Sequence, residues 1–116
     1  MQNLDQLKNA DLIQISFPEN NSQISSPLIA TGKARGNWYF EASFPVTVVN
    51  WDGLIIGEGI AEAQGEWMTT EFVPFKAVVT FTKPDYKDNG AVIFKKDNPS
   101  GDPKFDAAVE IPVKFK

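Results

Sequence analysis

From Asp11 onward, apolar and polar residues alternate along the chain, and clusters of Pro, Gly, Asn and Asp interrupt the alternation. Successive side chains of a strand point to opposite faces, so a period of two marks strands with one buried face. The clearest case is VPFKAVVTFT (73–82), where Phe75, Ala77, Val79 and Phe81 alternate with Lys76, Val78, Thr80 and Thr82. LIQISFP (12–18), LIATGKAR (28–35), FPVTVVN (44–50), AVIFKK (91–96) and VEIPVKF (109–115) read the same way. Pro112 has no N–H to give to a ladder, which predicts that the last strand lies at an edge or beside a bulge. Residues 19–27, 83–90 and 97–103 are rich in turn formers and read as connections.

Two segments need arbitration. In EGIAEAQGEW (58–67), Glu58, Glu62 and Glu66 recur every four residues, as on a helix face. Gly57, Gly59 and Gly65 surround them, however, and each glycine costs about 1 kcal/mol in a helix interior. As a strand, the glutamates with Ile60 and Gln64 form a solvated face, and Ala61, Ala63 and Trp67 lie on the other. We read a strand. Before it, Asp52-Gly53 between two apolar runs signals a hairpin with Trp51 at its tip. Residues 1–10 lack strand patterning and read as an N-terminal linker, an expression remnant or a short helical turn; the folded domain is assigned to 11–116.

About seven short strands and no long helix predict an all-β fold, an immunoglobulin-like antiparallel β-sandwich, with a small β-barrel as the alternative. Tyr86, before the sixth strand, is the candidate for the tyrosine corner of such sandwiches. A chain of 116 residues makes one domain and buries enough surface to fold without disulfide or metal.

Charge and composition narrow the function. A net charge of −4 lacks the basic surface that displaces counterions from nucleic acid or binds anionic lipid. No apolar run reaches the ~18 residues that span a bilayer, and MQNLDQLKNADL does not read as a signal peptide. The chain contains neither His nor Cys, which removes the commonest general base, thiolate chemistry and the commonest transition-metal ligands. Ser25 and Ser26 have no activating base in sequence. Asp97, Asn98, Asp102 and Asp106 carry the oxygen ligands calcium uses, but the spacing is not that of an EF-hand. With Pro99, Ser100, Gly101 and Pro103 among them, they read as turn builders. Asn20-Asn21-Ser22 is read likewise. No catalytic residue, metal or cofactor is expected.

The aromatic residues remain as candidates for recognition. GNWYFEASFPV (36–46) is echoed by GEWMTTEFVPF (65–75). If residues 38–41 are a strand, Trp38 and Phe40 share one face and Tyr39 and Glu41 the other. Trp38, Phe40 and Trp67 are then core, and Tyr39 and Trp51 are exposed, making these two the ligand-binding candidates.

These stretches, together with Ser26-Pro27-Leu28, Asp52-Gly53 and DNPSG (97–101), resemble the GerM-associated immunoglobulin-like domain of bacterial spore-germination proteins. The resemblance runs from about Asp11 to Phe115. It implies an immunoglobulin-like fold, a non-catalytic role and an extracytoplasmic place in a cell-envelope protein or lipoprotein, and it carries no catalytic residues. Two functions follow as expectations: an interaction or structural module that binds another protein, or a module binding a cell-wall glycan through exposed aromatics.

Overall fold

The computed structural model describes residues 3–116. A short helix α1 (Leu4–Asn9) precedes eight strands: β1 (Ile13–Phe17), β2 (Ser22–Ile24), β3 (Leu28–Arg35), β4 (Ser43–Val49), β5 (Ile55–Ala63), β6 (Phe72–Val79), β7 (Asn89–Lys95) and β8 (Ala108–Phe115). The strands form one hydrogen-bonded sheet in the order β1-β3-β6-β5-β4-β7-β8-β2. Every neighbouring pair is antiparallel except β2 and β8, which are parallel.

The sheet doubles over at the β4–β5 hairpin. Phe75 on β6 meets Phe44 on β4 with ring centroids 5.0 Å apart, and Phe94 on β7 at 5.9 Å. Within the sheet β5 separates β6 from β4, so these rings touch because β1-β3-β6-β5 and β4-β7-β8-β2 face each other. Edge-to-face aromatic pairs contribute roughly 0.5–1.5 kcal/mol beyond the area they bury. Val46, Val48, Val92, Ile111 and Val113 from one layer and Leu28, Ala30, Ala77 and Val79 from the other complete the core. The strand order, one four-stranded layer against a three-stranded layer with β2 added alongside, is that of an immunoglobulin-like sandwich. The expected all-β class is the one that forms.

The eighth strand was not expected. Residues 22–24 lie inside the 19–27 connection and are too few to show a period. They pair only because Ser22 comes opposite Val113 and Ile24 opposite Phe115. Pro112 sits where its own carbonyl accepts the Asn21 N–H at 2.7 Å, on the side away from β7. β8 is not the edge strand that the sequence predicts, since β2 lies outside it, but β2 pairs only with Val113–Phe115, so the missing N–H of Pro112 falls just beyond that pairing. The strand reading of 58–63 holds, with Glu58, Ile60 and Glu62 outward and Ala61 buried. Just before it, Gly57 is needed for a steric reason: a Cβ there would lie 2.4 Å from the carbonyl oxygen of Thr80 in the segment that follows β6.

Residues 36–42 depart from expectation. Gly36–Trp38 is a 3₁₀ turn, and Glu41 and Ala42 both adopt positive φ, 51° and 66°, in a tight turn closed by mutual Phe40–Ser43 backbone hydrogen bonds. Period-two alternation does not apply to such a segment. Trp38 is buried as expected, but so is Tyr39, at 3% exposure, whereas Phe40 is 41% exposed. Both the exposed Tyr39 and the buried Phe40 of the sequence reading are corrected. The Tyr39 hydroxyl donates to the Val73 carbonyl at 2.6 Å, tying residues 36–42 to the start of β6. Trp67 is partly buried and packs on the core. Tyr86 does not make a tyrosine corner: it is exposed, and its hydroxyl bonds to the Asp52 carboxylate.

The echo of the two Gly-x-Trp stretches is spatial as well. A Cβ on Gly36 would stand 1.9 Å from the Thr69 oxygen and 2.2 Å from that of Trp67, so the two segments touch backbone to backbone. Arg35 lies over the Phe72 ring at 3.9 Å and donates to the Thr70 carbonyl at 3.3 Å.

Burial raises the Tyr39 phenol well above its usual pKa of 10.0. A phenol that ionises more readily in the unfolded chain contributes full stability below about pH 10, and this is lost as pH rises beyond that value. Tyr39→Phe removes the buried hydroxyl's bond to the Val73 carbonyl, which stays in the ladder opposite Ala34, and is expected to cost about 0.5–1.5 kcal/mol in urea unfolding at neutral pH. The deficit relative to wild type should shrink above pH 10; a deficit constant with pH would contradict the burial argument.

Candidate ligand groove beside Trp51

The β4–β5 turn holds Trp51 rigidly in the open. The Asn50 side-chain oxygen accepts the N–H groups of Asp52 and Leu54, both at 3.0 Å. Asn50 N–H donates to the Leu54 carbonyl at 2.9 Å, and Gly53, with φ of +81°, donates to the Asn50 carbonyl at 3.0 Å. This Asx-based turn leaves the indole 55% exposed. The 80–88 connection leans on the tip: Tyr86 bonds to Asp52, and the Lys87 ammonium lies 4.8 Å from the Trp51 ring centroid.

A groove of about 610 Å³ runs from this tip toward α1. Val49, Ala91 and Pro112, opposite one another across β4, β7 and β8, form an apolar floor. Asn50, Asn89 and Glu110 place polar groups along it, and Asn3, Leu4 and Asp5 close it from the helix side.

The helix has its polar face inward. Asn3 and Gln6 form a reciprocal capping box. Asn3 Nδ2 donates to the Glu110 carbonyl at 2.9 Å, the Glu110 N–H donates to an Asp5 carboxylate oxygen at 3.2 Å, and Asn9 Nδ2 reaches the Ala108 carbonyl at 3.4 Å. Asn20 Nδ2 donates to Gln6 at 2.8 Å. Gln6 and Asn9 are consequently buried, while Leu4 and Leu7 stand 83% and 60% exposed. An ordinary surface helix buries its apolar stripe; here the leucines are presented outward, Leu4 into the groove.

The structure keeps one of the two sequence-derived candidates at the surface. Trp51 lines the groove; Tyr39 is in the core with its hydroxyl engaged, and the two are not brought together. In residues 97–106, Asn98 Nδ2 donates to the Asp102 carbonyl and to the Asp106 carboxylate, both at 2.8 Å, and Ser100 donates to Asn98 at 2.6 Å. These are turn-stabilising bonds, and no cluster of three or more metal-binding side chains occurs among the described residues. Ser26 Oγ accepts the Phe81 N–H at 3.0 Å. The sequence reading missed Asn3, Leu4, Asp5 and Glu110. The Asn3-x-x-Gln6 spacing of a capping box is the local signal that could have pointed to the helix, but nothing local shows where it docks.

A second apolar surface lies on the outer face of the other layer. Ile29 is opposite Val78, and the β5–β6 register that places Ala61 opposite Ala77 puts Ile60 beside Val78; all three are exposed. No helix among the described residues is long and apolar enough to cross a membrane.

Neither a curated protein nor a solved structure matches the chain. The family model of the immunoglobulin-like domain of bacterial spore germination matches residues 12–103, which takes in β1 to β7 and the 97–103 turn. With the strand order found here, that match places the chain in the immunoglobulin-like domain family of bacterial spore germination.

Proposed function

We propose that this domain is a non-catalytic interaction module that binds another protein and works in a cell-envelope protein or lipoprotein of spore-germination type. The observation that carries the reading is the rigid, exposed Trp51 ring beside a groove with an apolar floor and an outward-facing Leu4. Interface energy concentrates in aromatic anchors next to apolar pockets rimmed by polar groups. Leu7 extends the apolar surface along the helix. The extracytoplasmic setting rests on the family.

A second reading uses the same groove. An exposed indole flanked by the Asn50 and Asn89 amides also suits a cell-wall glycan, whose C–H faces stack on the ring while its hydroxyls bond to the amides.

The two readings separate in a binding experiment with the intact domain. Proteins captured from envelope extracts are purified and titrated directly, in parallel with soluble, peptide-free wall glycan fragments, following tryptophan fluorescence. Trp51→Ala is expected to weaken binding of the purified partner about tenfold or more. A fluorescence response to the glycan fragments that Trp51→Ala abolishes, with no partner binding directly, assigns the groove to sugar instead.

A further inference from the structure

We propose that the groove beside Trp51 selects a polypeptide segment carrying a lysine or arginine side chain; this inference rests on the protein-binding reading above and specifies the partner's chemistry. Two carboxylate residues, Asp5 and Glu110, line the groove, and no lysine or arginine does. One Asp5 oxygen is engaged by the Glu110 N–H, but the exposed Glu110 carboxylate makes no ion pair among the described residues. A ligand bringing a positive charge supplies the counter-charge that the protein itself does not.

The ring provides the second observation. An indole face is electron-rich and attracts ammonium or guanidinium groups within about 6 Å of its centroid. Trp51 already displays this property toward Lys87, whose ammonium is 4.8 Å from the centroid. A ring has two faces, and Lys87 takes one. The indole is 55% exposed and lines the groove together with Glu110, so ring surface beyond the Lys87 contact is open to a cation from a partner.

The floor fits the rest of such a side chain. Lysine and arginine lay their methylene stems on apolar surface and keep the charged head in a polar setting. Val49, Ala91 and Pro112 offer that surface, and Asn50 and Asn89 offer amides to the backbone of a bound segment. A neutral sugar would use the ring and the amides equally well but gives the Glu110 carboxylate no opposite charge. The combination therefore favours a basic peptide.

The test is a ¹H–¹⁵N titration of the intact domain with three capped pentapeptides, acetyl-Ala-Leu-X-Leu-Ala-amide, with X as lysine, norleucine or glutamate, and with a neutral chitooligosaccharide. The lysine peptide is expected to shift the Trp51 indole and Glu110 amide signals and to bind about three- to tenfold more tightly than the norleucine peptide. Glu110→Gln should remove most of that advantage by weakening the lysine peptide far more than the norleucine peptide; the side chain is exposed, and the bonds Glu110 makes to α1 use its backbone, so the variant keeps the fold. Equal binding of lysine and norleucine peptides, or preference for glutamate, overturns the charge selection and leaves the protein-binding reading standing. No shift with any peptide, with or without shifts from the chitooligosaccharide, overturns both.

Discussion

The backbone of β8 must find hydrogen-bond partners on the side that faces away from β7, and the arrangement of the surface follows from how it does so. At Ser22–Ile24 the short strand β2 supplies them. Farther along, the Asn21 N–H reaches Pro112, and beyond that the side chains of Asn3, Asp5 and Asn9 take over at Glu110 and Ala108. An open strand edge invites pairing with other chains, and leaving its groups buried and unpaired costs free energy. A helix that spends Asn3, Asp5, Gln6 and Asn9 on a strand edge leaves Leu4, Leu7 and Lys8 for the outside. The exposed Leu4 and Leu7 are thus the consequence of satisfying β8, and the groove wall beside Trp51 is built from the same solution.

Inside, the structure depends on contacts between layers. The Phe44–Phe75–Phe94 series joins strands that are not sheet neighbours, and Phe81 meets Phe115 across the layers at 5.5 Å between centroids. Trp38 and Tyr39 both pack near Phe44. The two Gly-x-Trp stretches, distant in sequence, meet at Gly36, where only a residue without Cβ lets the backbones approach so closely. What looked like a repeated aromatic platform is one packed corner of the domain. The aromatic ring available to a ligand is elsewhere, on a turn whose Asn50 and Gly53 fix its geometry.

Strands were legible where one face is buried: β6 follows the period of two along its length and β3 does so except at Thr31-Gly32, and the Asp52-Gly53 turn announced the hairpin that carries Trp51. Legibility failed where the backbone leaves the pleat. At 38–41 a 3₁₀ turn followed by two positive-φ residues shifts the alternation, so Tyr39 is buried and Phe40 exposed, the reverse of the strand reading. β2 was invisible because three residues show no period and its partner is far away in the chain. Half of the groove was also invisible: Trp51 can be found from the hairpin signal, but Glu110 and Asp5 come together only through a hydrogen bond between residues at opposite ends of the sequence.

The account of the surface therefore stands on α1 being held to β8 by polar bonds, with its leucines facing outward. Amide hydrogen exchange at Glu110 reports this most directly, because the carboxylate of Asp5 is the acceptor of that N–H. The account predicts slow exchange at Glu110 in the wild-type chain, and acceleration in Asp5→Ala while Ile111 and Val92 in the core remain protected. Fast exchange at Glu110 in the wild type, or no change on removing the Asp5 carboxylate, would contradict it.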